Sequence, residues 1–290
     1  MASLKEVKQR ITSVESTKKI TNAMKMVASA KLRKAQGRVE SFQPYQMRLS
    51  EMLQRFLSTE TNFISAFAEK REVKSVAIVA FSSNSSLCGA FNTNIIKLFE
   101  QQILDYNLPQ ENIHIYPIGK KIYEAVVKKG LTPKGEYNWL MDNPSFDEIK
   151  LIADELMSDF LTKKIDEVRL LYTHFKSTAT QQLRYEQFLP ISLLPSEQSK
   201  KGTHQIDYIV EPDKATIIAA LLPKSLRAEI FSTLLDSSTS EHAARTVAMQ
   251  IATDNAADLL EELSIQYNKT RQQAITNELL DILSGQASQH

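Results

Sequence analysis

Residues 224–284 read KSLRAEIFSTLLDSSTSEHAARTVAMQIATDNAADLLEELSIQYNKTRQQAITNELLDILS, which is 61 positions without a glycine or a proline. Residues 2–36 form a second such stretch of 35 positions. An average α-helix has about 11–12 residues, and glycine and proline are the residues that most often interrupt one. We therefore predict two very long helices, with most of the seven glycines and nine prolines collected between them.

The overall composition excludes several broad classes of protein. Of the 290 residues, 42% are hydrophobic and 24% are charged, which is enough to bury a core. A formal net charge of +1 is unlike that of a globally basic nucleic-acid binder, so no nucleic-acid partner is predicted. Cys88 is the single cysteine and the five histidines are scattered, so we predict no disulfide, no metal site and no cofactor. No run approaches the roughly 18 apolar residues of a membrane span, and the first residues lack the apolar core of a secretory signal.

The N-terminal stretch has a helix start signal and an apolar seam. Ser3 followed by Glu6 is a capping-box pattern. After it, apolar residues recur three and four positions apart, which is the spacing of a coiled-coil seam. The predicted seam residues are Leu4, Val7, Ile11, Val14, Ile20, Met24, Val27, Ala35, Val39 and Phe42.

The C-terminal stretch repeats this pattern in two blocks, separated by a polar belt at residues 268–273. The serine- and threonine-rich residues 237–240 are a candidate for a local break or a new helix start. The predicted seam residues are Ala252, Ala256, Leu259 and Leu263 before the belt, and Ile275, Leu279 and Ile282 after it.

The two stretches carry opposite charge. Residues 1–50 have eleven Lys or Arg and three Asp or Glu, whereas residues 241–284 have three and seven. Net charges of +8 and −4 favour pairing between two helices that both have apolar seams. Because the chain leaves and returns through a folded middle, we predict an antiparallel two-helix coiled coil.

The middle of the chain alternates between predicted strands and helices. Strand–helix–strand order predicts a mostly parallel sheet, in which the last two strands allow an antiparallel hairpin. The fold class is therefore α/β with long helical arms, with a central Rossmann-like domain at residues 73–212 between helices at 1–58 and 213–286. The predicted strands are Val76–Phe81, Ile113–Ile118, Val168–Phe175, Gln182–Leu189 and a further extended segment at 206–210; the predicted helices are Asn92–Tyr106, Lys120–Lys129 and one that Ser145 caps, with Glu148 at the capping-box position.

An α/β pattern suggests a nucleotide site, but the expected motifs are missing. The turn after the first strand, residues 82–89, contains neither GxGxxG nor GxxxxGK[ST]. Gly119 before Lys120 resembles the end of a phosphate loop, but His114 stands where the first glycine is required. Cys88 resembles a nucleophile in a strand-to-helix turn, but no histidine is identifiable as its base. A small buried residue in a tight turn is the favoured interpretation of Cys88.

Antiparallel pairing leaves the far end of the second helix without a partner. The overhang at residues 274–283 is rich in isoleucine and leucine, and exposing apolar surface to water costs about 25 cal/mol per Å². We therefore predict that other proteins surround this end, and that the belt at 268–273 forms hydrogen bonds with them.

Several motifs along the chain together identify a family. They are ITSV at 11–14, TKKITNAMKMVA at 17–28, LCG at 87–89, EPD at 211–213, ATDNA at 252–256, YNK at 267–269, RQ at 271–272 and IT at 275–276. In these motifs the sequence resembles the gamma-subunit family of the rotary F-type ATP synthase, whose members form the central shaft of the catalytic head. The likeness covers essentially the whole chain. A departure is Asn84-Ser85-Ser86, which stands where the family usually has an acidic-basic-glycine triplet.

The resemblance implies a non-catalytic subunit, present in a single copy inside a ring of three alpha and three beta subunits. Its α/β foot would contact the epsilon subunit and the membrane ring of c subunits. Ion flow would rotate the shaft and so drive ATP synthesis or hydrolysis in the ring. The resemblance also implies a peripheral membrane protein with no cofactor or small-molecule substrate of its own. The lack of a recognisable transit peptide favours the cytoplasmic side of a bacterial cell inner membrane, and the basic first residues leave an organelle form open.

The resemblance also implies contact residues between the shaft and the ring. Those that face the acidic moving loops of beta are Lys18, Met24 and Lys25. Those that make polar contacts to the collar of the ring are Arg271, Gln272 and Thr276. Those held in an apolar sleeve are Ile275, Leu279, Ile282 and Leu283.

Two other interpretations compete with this one. An α/β enzyme with a helical arm needs a nucleotide-binding loop within residues 73–212 and a chain that is active by itself. A structural coiled-coil adaptor would form a parallel homodimer through its long helices, whereas a shaft is one copy among unlike subunits.

Overall fold

The computed structural model describes residues 3–59, 65–191, 210–211 and 213–287, and the side chains of 58–59 and 281–287 lie outside this description. The chain divides into two units. The helix-pair unit consists of residues 1–29 and 245–290, and the α/β unit consists of residues 30–244. Both units contain parts of two long helices, α1 (Leu4–Thr59) and α6 (Lys214–Ala287).

Helix α1 has 56 residues and starts at the predicted capping box. Ser3 N donates to Glu6 Oε2 over 2.8 Å, and Glu6 N donates to Ser3 Oγ over 3.3 Å. Gly37 and Pro44 lie inside the helix and do not end it, as predicted. Apolar burial of later residues such as Leu49 compensates for the weak helix propensity of these two positions.

Helix α6 has 74 residues and continues through residues 237–240, where a break was considered. These four residues are buried, although all of them are polar. Thr239 Oγ1 donates to Leu235 O over 2.7 Å, and Ser238 Oγ donates to Met141 O over 3.5 Å. Short hydroxyl side chains can bond to nearby carbonyls, so these two are satisfied without a helix end. Ser237 Oγ and Ser240 Oγ, by contrast, are buried without a hydrogen-bond partner among the described residues.

The α/β unit contains a four-stranded sheet in the order β2-β1-β3-β4. Strand β1 pairs with β2 and β3 in parallel, and β3 and β4 form an antiparallel hairpin. The strands are β1 (Val76–Phe81), β2 (Ile113–Ile118), β3 (Glu167–Phe175) and β4 (Gln181–Leu189). The four predicted strands are therefore confirmed to within one residue, whereas residues 206–209 of the predicted further segment lie outside the described residues.

Helices cover both faces of this sheet. One apolar cluster joins Val79 of β1 to α5 (Phe146–Leu161) and α6. The other joins Ile78 of β1 to α2 (Phe91–Tyr106) and α3 (Lys120–Lys128). Since neighbouring residues of a strand point to opposite faces, every residue of β1 is buried. The short helix α4 (Trp139–Asp142) precedes α5.

The predicted capping box at the start of α5 was wrong. Ser145 is the N-cap residue, but its side chain makes no capping hydrogen bond. Glu148, the predicted partner, instead accepts a hydrogen bond from Trp139 Nε1. The indole N–H is a donor only, so it competes directly with the backbone for this carboxylate.

Within the α/β unit the two long helices run antiparallel, as predicted. Phe42 of α1 meets Phe231 of α6, with ring centroids 4.8 Å apart. Further along α1, Phe56 packs against Ile218 and Leu222, which come earlier in α6. Contacts that move forward on one helix and backward on the other define antiparallel pairing.

Candidate functional site

At two places in the helix-pair unit, the buried seam of α1 lies one residue further along the chain than predicted. Val7 is buried as predicted, but Ile20 is 60% exposed and Val27 is 58% exposed, so both were predicted wrongly. Thr21 and Ala28 are buried in their place. Positions 7, 14, 21 and 28 continue one seven-residue repeat, so the register of the helix places a threonine, not the neighbouring isoleucine, on the seam.

A hydrogen bond between two threonines joins the long helices inside this seam. Thr253 Oγ1 lies 2.9 Å from Thr21 Oγ1 and 2.7 Å from Met249 O. Thr21 Oγ1 donates to Lys18 O over 3.1 Å. Both hydroxyls are thus satisfied within the seam, so they can be buried without an unpaired polar atom.

The seam of α6 agrees with the prediction at Ala256 and Leu263, which are both buried. The prediction was wrong for Leu259, which is 43% exposed. The helix-pair unit therefore exposes apolar side chains that sequence reasoning had assigned to its interior or had missed. These exposed apolar residues are Ile20, Met26 and Val27 on α1, and Ile251, Leu259 and Ile265 on α6.

The sequence signal that identifies Ile20 and Val27 as exposed is the seven-residue repeat itself. When the repeat that begins at Val7 is continued strictly, Ile20 and Val27 fall outside the seam. Water-facing positions of a helix are normally polar, so an apolar outer face indicates a surface that meets other molecules.

Every predicted contact residue belongs to the helix-pair unit. On α1, Lys18, Met24 and Lys25 are half-buried. On α6, Arg271 and Gln272 are exposed, as are all other residues from 271 to 280. The exposed residues at this end include Thr276, whose Oγ1 donates to Gln272 O over 2.9 Å.

The C-terminal part of α6 keeps apolar side chains in water. Ile275 is 47% exposed and Leu279 is 56% exposed, with Leu280 similar. The side chains of Ile282 and Leu283, also predicted to form this end, lie outside the described residues. The described part of the chain therefore leaves the end of α6 uncovered.

The start of α3, which follows β2, is closed by the chain itself. In Rossmann-like domains phosphate binds to the free N–H groups at a helix start that follows a strand. Here the N–H groups of residues 120–122, at the start of α3, all have partners in the turn after β1. They donate, in order, to Asn84 Oδ1 (3.0 Å), Ser83 O (3.1 Å) and Ser82 Oγ (2.8 Å).

Gly119 makes this close approach possible. Its φ is +109°, and a Cβ at this position would lie 2.0 Å from Ser82 O. Asn84, part of the triplet that departs from the family pattern, also donates through Nδ2 to Asn138 O over 2.8 Å. Asn84 therefore links the turn to α4 as well as to α3.

Cys88 occupies the turn as a structural residue. It is buried, and its Sγ accepts a hydrogen bond from Asn92 Nδ2 over 3.2 Å. Ser83 Oγ lies 3.7 Å away, and no histidine approaches it among the interactions of the described residues. The interpretation as a small buried residue in a tight turn is confirmed.

Sequence reasoning missed a polar cavity of about 250 Å³ in the α/β unit. Residues from α1, the β3–β4 hairpin and α6 surround it, so no local sequence pattern predicts it. Among the described residues, no cluster of His, Cys, Asp and Glu has a metal-binding arrangement. The lining residues are Gln46, Ser50, Tyr172, Glu186, Ser225, Glu229, Ser232, Thr233 and Asp236.

Two of the three carboxylates in this cavity have partners. Glu186 accepts hydrogen bonds from Tyr172 Oη over 2.8 Å and from Arg184 over 2.9 Å. Asp236 lies 2.5 Å from His174 Nδ1, and its Oδ1 accepts a hydrogen bond from Phe175 N over 2.7 Å. Burial raises the pKa of Asp236, although these partners oppose the shift.

Glu229 is the third carboxylate, and it differs from the other two. Its side chain makes no hydrogen bond or ion pair with any described residue. Burial, with a smaller contribution from the charge of Glu186, raises the pKa of Glu229 from 4.5 to about 7. The cavity therefore holds an unmatched negative charge whenever Glu229 ionises.

Glu229→Gln is expected to stabilise the α/β unit above pH 7 by about 2 kcal/mol, after allowance for solvent screening. Because the pKa of Glu229 is higher in the folded chain, ionisation lowers the stability of the wild type as pH rises from about 4.5 to about 7. Glutamine does not ionise, so the difference in the free energy of unfolding between the variant and the wild type should nearly vanish at pH 4.5. Urea unfolding at pH 4.5 and pH 8, followed by the fluorescence of the single tryptophan, Trp139, measures it. An equal difference at both pH values would contradict the assigned cause.

Comparisons with known proteins agree with this geometry over nearly the whole chain. Residues 3–288 match the family model described as ATP synthase. The ATP synthase gamma chain of Bacteroides fragilis is 58% identical over 287 residues, covering 98% of this chain and 99% of that one. This chain belongs to the ATP synthase gamma-chain family. A gamma chain is a non-catalytic subunit, because catalysis occurs in the beta subunits.

Further gamma chains and solved structures extend the comparison. The gamma chain of Phocaeicola vulgatus is 54% identical, covering 98% of this chain and 99% of that one. The fold is similar to that of a chain in the central stalk and c-ring of the Tetrahymena thermophila mitochondrial ATP synthase, with a TM-score of 0.60. The two chains are 22% identical, and the likeness covers 80% of this chain and 99% of that one. A chain of the Euglena gracilis mitochondrial ATP synthase rotor gives a TM-score of 0.59 at 18% identity, with coverage of 94% and 98%. These two likenesses show that the fold is shared with those chains.

The complex to which gamma chains belong is associated with a membrane. In the described part of this gamma chain, no helix is both long and apolar enough to cross a bilayer.

Proposed function

We propose that this chain is the central rotor shaft of a membrane ATP synthase. It couples ion flow through the membrane sector to ATP synthesis or hydrolysis in a ring of three alpha and three beta subunits by rotating within that ring. In this proposal, residues 1–58 and 213–286 form the shaft, and residues 73–212 form the foot. The foot contacts the epsilon subunit and the membrane c-ring.

The observation that carries this proposal is the uncovered end of α6. Ile275, Leu279 and Leu280 keep large apolar side chains in water on a helix that has no partner there among the described residues. Apolar surface of this kind is stabilised when another protein covers it, by about 25 cal/mol per Å². A bearing formed by alpha and beta subunits supplies such a cover.

The contact residues are assigned to the ring in three groups. Lys18, Met24 and Lys25 face the acidic loops of beta, and their partial exposure leaves them accessible. The polar contacts to the collar come from Arg271, Gln272 and Thr276. The contacts to the apolar sleeve come from Ile275, Leu279, Ile282 and Leu283.

The exposed apolar residues of α1 add to the proposed contact surface with the ring. Ile20, Met26 and Val27 lie on the same helix as Lys18 and Lys25, and their exposure supports contact with the ring along α1. Since opposite charges attract, the excess of basic residues in the first 50 positions also suits acidic loops of a partner.

The lack of a glycine-rich phosphate loop in the sequence argues against the enzyme interpretation. The start of α3, one place where phosphate could bind, is already bonded to Ser82, Ser83 and Asn84. We further place the chain peripherally on the cytoplasmic side of the cell inner membrane, since the foot of such a shaft lies next to the c-ring.

The mass of the native complex is expected to show one copy of this chain with three alpha and three beta subunits. The exposed apolar surfaces of this chain need unlike subunits around them. The purified complex should therefore contain alpha subunits, beta subunits and this chain in a 3:3:1 ratio. Native mass spectrometry of the complex, purified through a tag on this chain, measures the ratio. A stable homodimer free of other subunits would instead favour the coiled-coil adaptor.

A further inference from the structure

The polar cavity of the α/β unit has no role in the proposed rotation of the shaft. We propose that it is a binding site for one organic cation, a guanidinium or a primary ammonium group. The proposal goes beyond the rotor function, and its first test uses the chain without any other subunit.

The charges around the cavity favour a single cation. Glu186 forms an ion pair with Arg184, and Asp236 has hydrogen-bond partners in His174 Nδ1 and Phe175 N. Glu229 has no partner among the described residues, so its ionised form adds a negative charge that nothing in the cavity balances. An anionic ligand would meet three carboxylates and be repelled by them.

The uncharged lining completes the hydrogen bonds of such a group. The side chains of Gln46, Ser50, Ser225 and Ser232 line the cavity and make no hydrogen bonds with other described residues. Guanidinium and ammonium groups have only donors, five and three N–H bonds respectively. A donor-only cation therefore fits a wall of carboxylate, hydroxyl and amide oxygens, whereas an apolar ligand would leave these oxygens unpaired.

The size of the cavity also fits. A water molecule occupies about 30 Å³, so about 250 Å³ holds a short alkyl chain with its charged head and some remaining water. Drug-sized ligands usually occupy about 300 Å³ or more. A metal ion is disfavoured, because the described residues contain no metal-binding cluster.

Agmatine, a four-carbon chain with a guanidinium at one end and a primary ammonium at the other, is the probe. We expect calorimetry in phosphate buffer to show one agmatine per full-length chain, bound about tenfold more tightly at pH 8 than at pH 6. With a pKa of about 7, Glu229 is about 90% ionised at the higher pH and about 10% ionised at the lower. At pH 7, binding should release a fraction of a proton, which calorimetry in a second amine-free buffer of different ionisation enthalpy detects.

The other groups that face Glu229 are accounted for in the same experiment. Helix α1 contributes only uncharged Gln46 and Ser50, and β3 contributes Tyr172. The remaining charged groups are Glu186 with its partner Arg184, and Asp236 with its partner His174. Any pH dependence that survives in Glu229→Gln is assigned to these pairs.

Glu229→Gln is expected to weaken agmatine binding at pH 8 about tenfold or more and to remove most of its pH dependence. Glu111→Gln is the matched control, because Glu111 is exposed and outside the cavity, and it should bind as the wild type does. Circular dichroism checks that both variants are folded. Equal agmatine affinity in Glu229→Gln and the wild type, or no binding to the wild type at pH 8, would overturn the proposal.

The assembled complex distinguishes two sources of the cation, and this arm alone rests on the proposed rotor function. If a free small molecule is the natural ligand, agmatine binds to the complex as it binds to the chain. If a lysine or arginine side chain of a partner subunit fills the cavity, agmatine binding is lost in the complex and kept in the chain. Both results support a cation site, and they differ only in where the cation comes from.

Discussion

Gly119→Ala is expected to destabilise the α/β unit by about 3–5 kcal/mol, the largest effect predicted for a single substitution in this chain. A φ of +109° disfavours any residue with a Cβ, and the added atom would lie 2.0 Å from Ser82 O. Ser82 belongs to the turn that bonds to the start of α3, so the clash cannot be relieved by moving a flexible side chain. Urea unfolding followed by Trp139 fluorescence measures the loss.

Two other glycines provide matched controls for this substitution. Gly37 lies within α1, and a Cβ there would meet nothing within 4 Å, so Gly37→Ala is expected to stabilise the helix by about 0.5–1 kcal/mol. Gly130 has a φ of +75° with the same open space, so Gly130→Ala isolates the backbone strain, at about 1 kcal/mol. If Gly119→Ala loses no more stability than Gly130→Ala, the close approach to Ser82 is not what makes glycine necessary.

Arg271→Ala combined with Gln272→Ala is expected to reduce coupled ATP synthesis by about tenfold to thirtyfold. Each polar contact contributes about 1 kcal/mol, and 1.4 kcal/mol corresponds to a factor of ten. Both side chains are exposed on α6 and make no contact that the fold of the α/β unit needs. ATP synthesis driven by an imposed ion gradient in vesicles with the reconstituted complex measures the effect.

The control for this double variant removes a cation and an amide elsewhere. Lys128→Ala with Gln101→Ala changes two exposed helical residues of the α/β unit, and synthesis should remain close to that of the wild type. Trp139 fluorescence should show the same unfolding for both double variants and the wild type. Unchanged synthesis and hydrolysis in the Arg271 and Gln272 variant would remove these residues from the contacts to the ring.

Much of the fold could be predicted because the relevant information is local. The long intervals without glycine or proline predicted both long helices, and the alternation of apolar runs predicted all four strands within one residue. The start of α1 followed from Ser3 and Glu6, whose reciprocal hydrogen bonds need only three residues of separation. The same pattern at Ser145 and Glu148 misled, because Trp139 takes the carboxylate.

The candidate contact surface was predicted less completely. The repeat that begins at Val7 places Thr21 and Ala28 on the seam. Because Ile20 and Val27 are more hydrophobic than these neighbours, hydrophobicity predicted that they, and not Thr21 and Ala28, would be buried. Hydrophobicity alone cannot decide between adjacent positions, because a small residue lets two helices approach closely and a paired hydroxyl can be buried. The bond between Thr21 and Thr253 joins residues 232 positions apart, and no sequence spacing encodes it.

By itself, the sequence determined that this chain has two long helices that return antiparallel around an α/β middle, since helix length, strand alternation and charge are properties of short segments. Tertiary structure decided which face of α1 is exposed, how Ser82, Ser83 and Asn84 close the start of α3, and where Glu229 lies without a partner among the described residues. The physical reason is that hydrogen bonding, burial and pKa depend on atoms brought together from distant parts of the chain, and water is excluded only once those parts have packed.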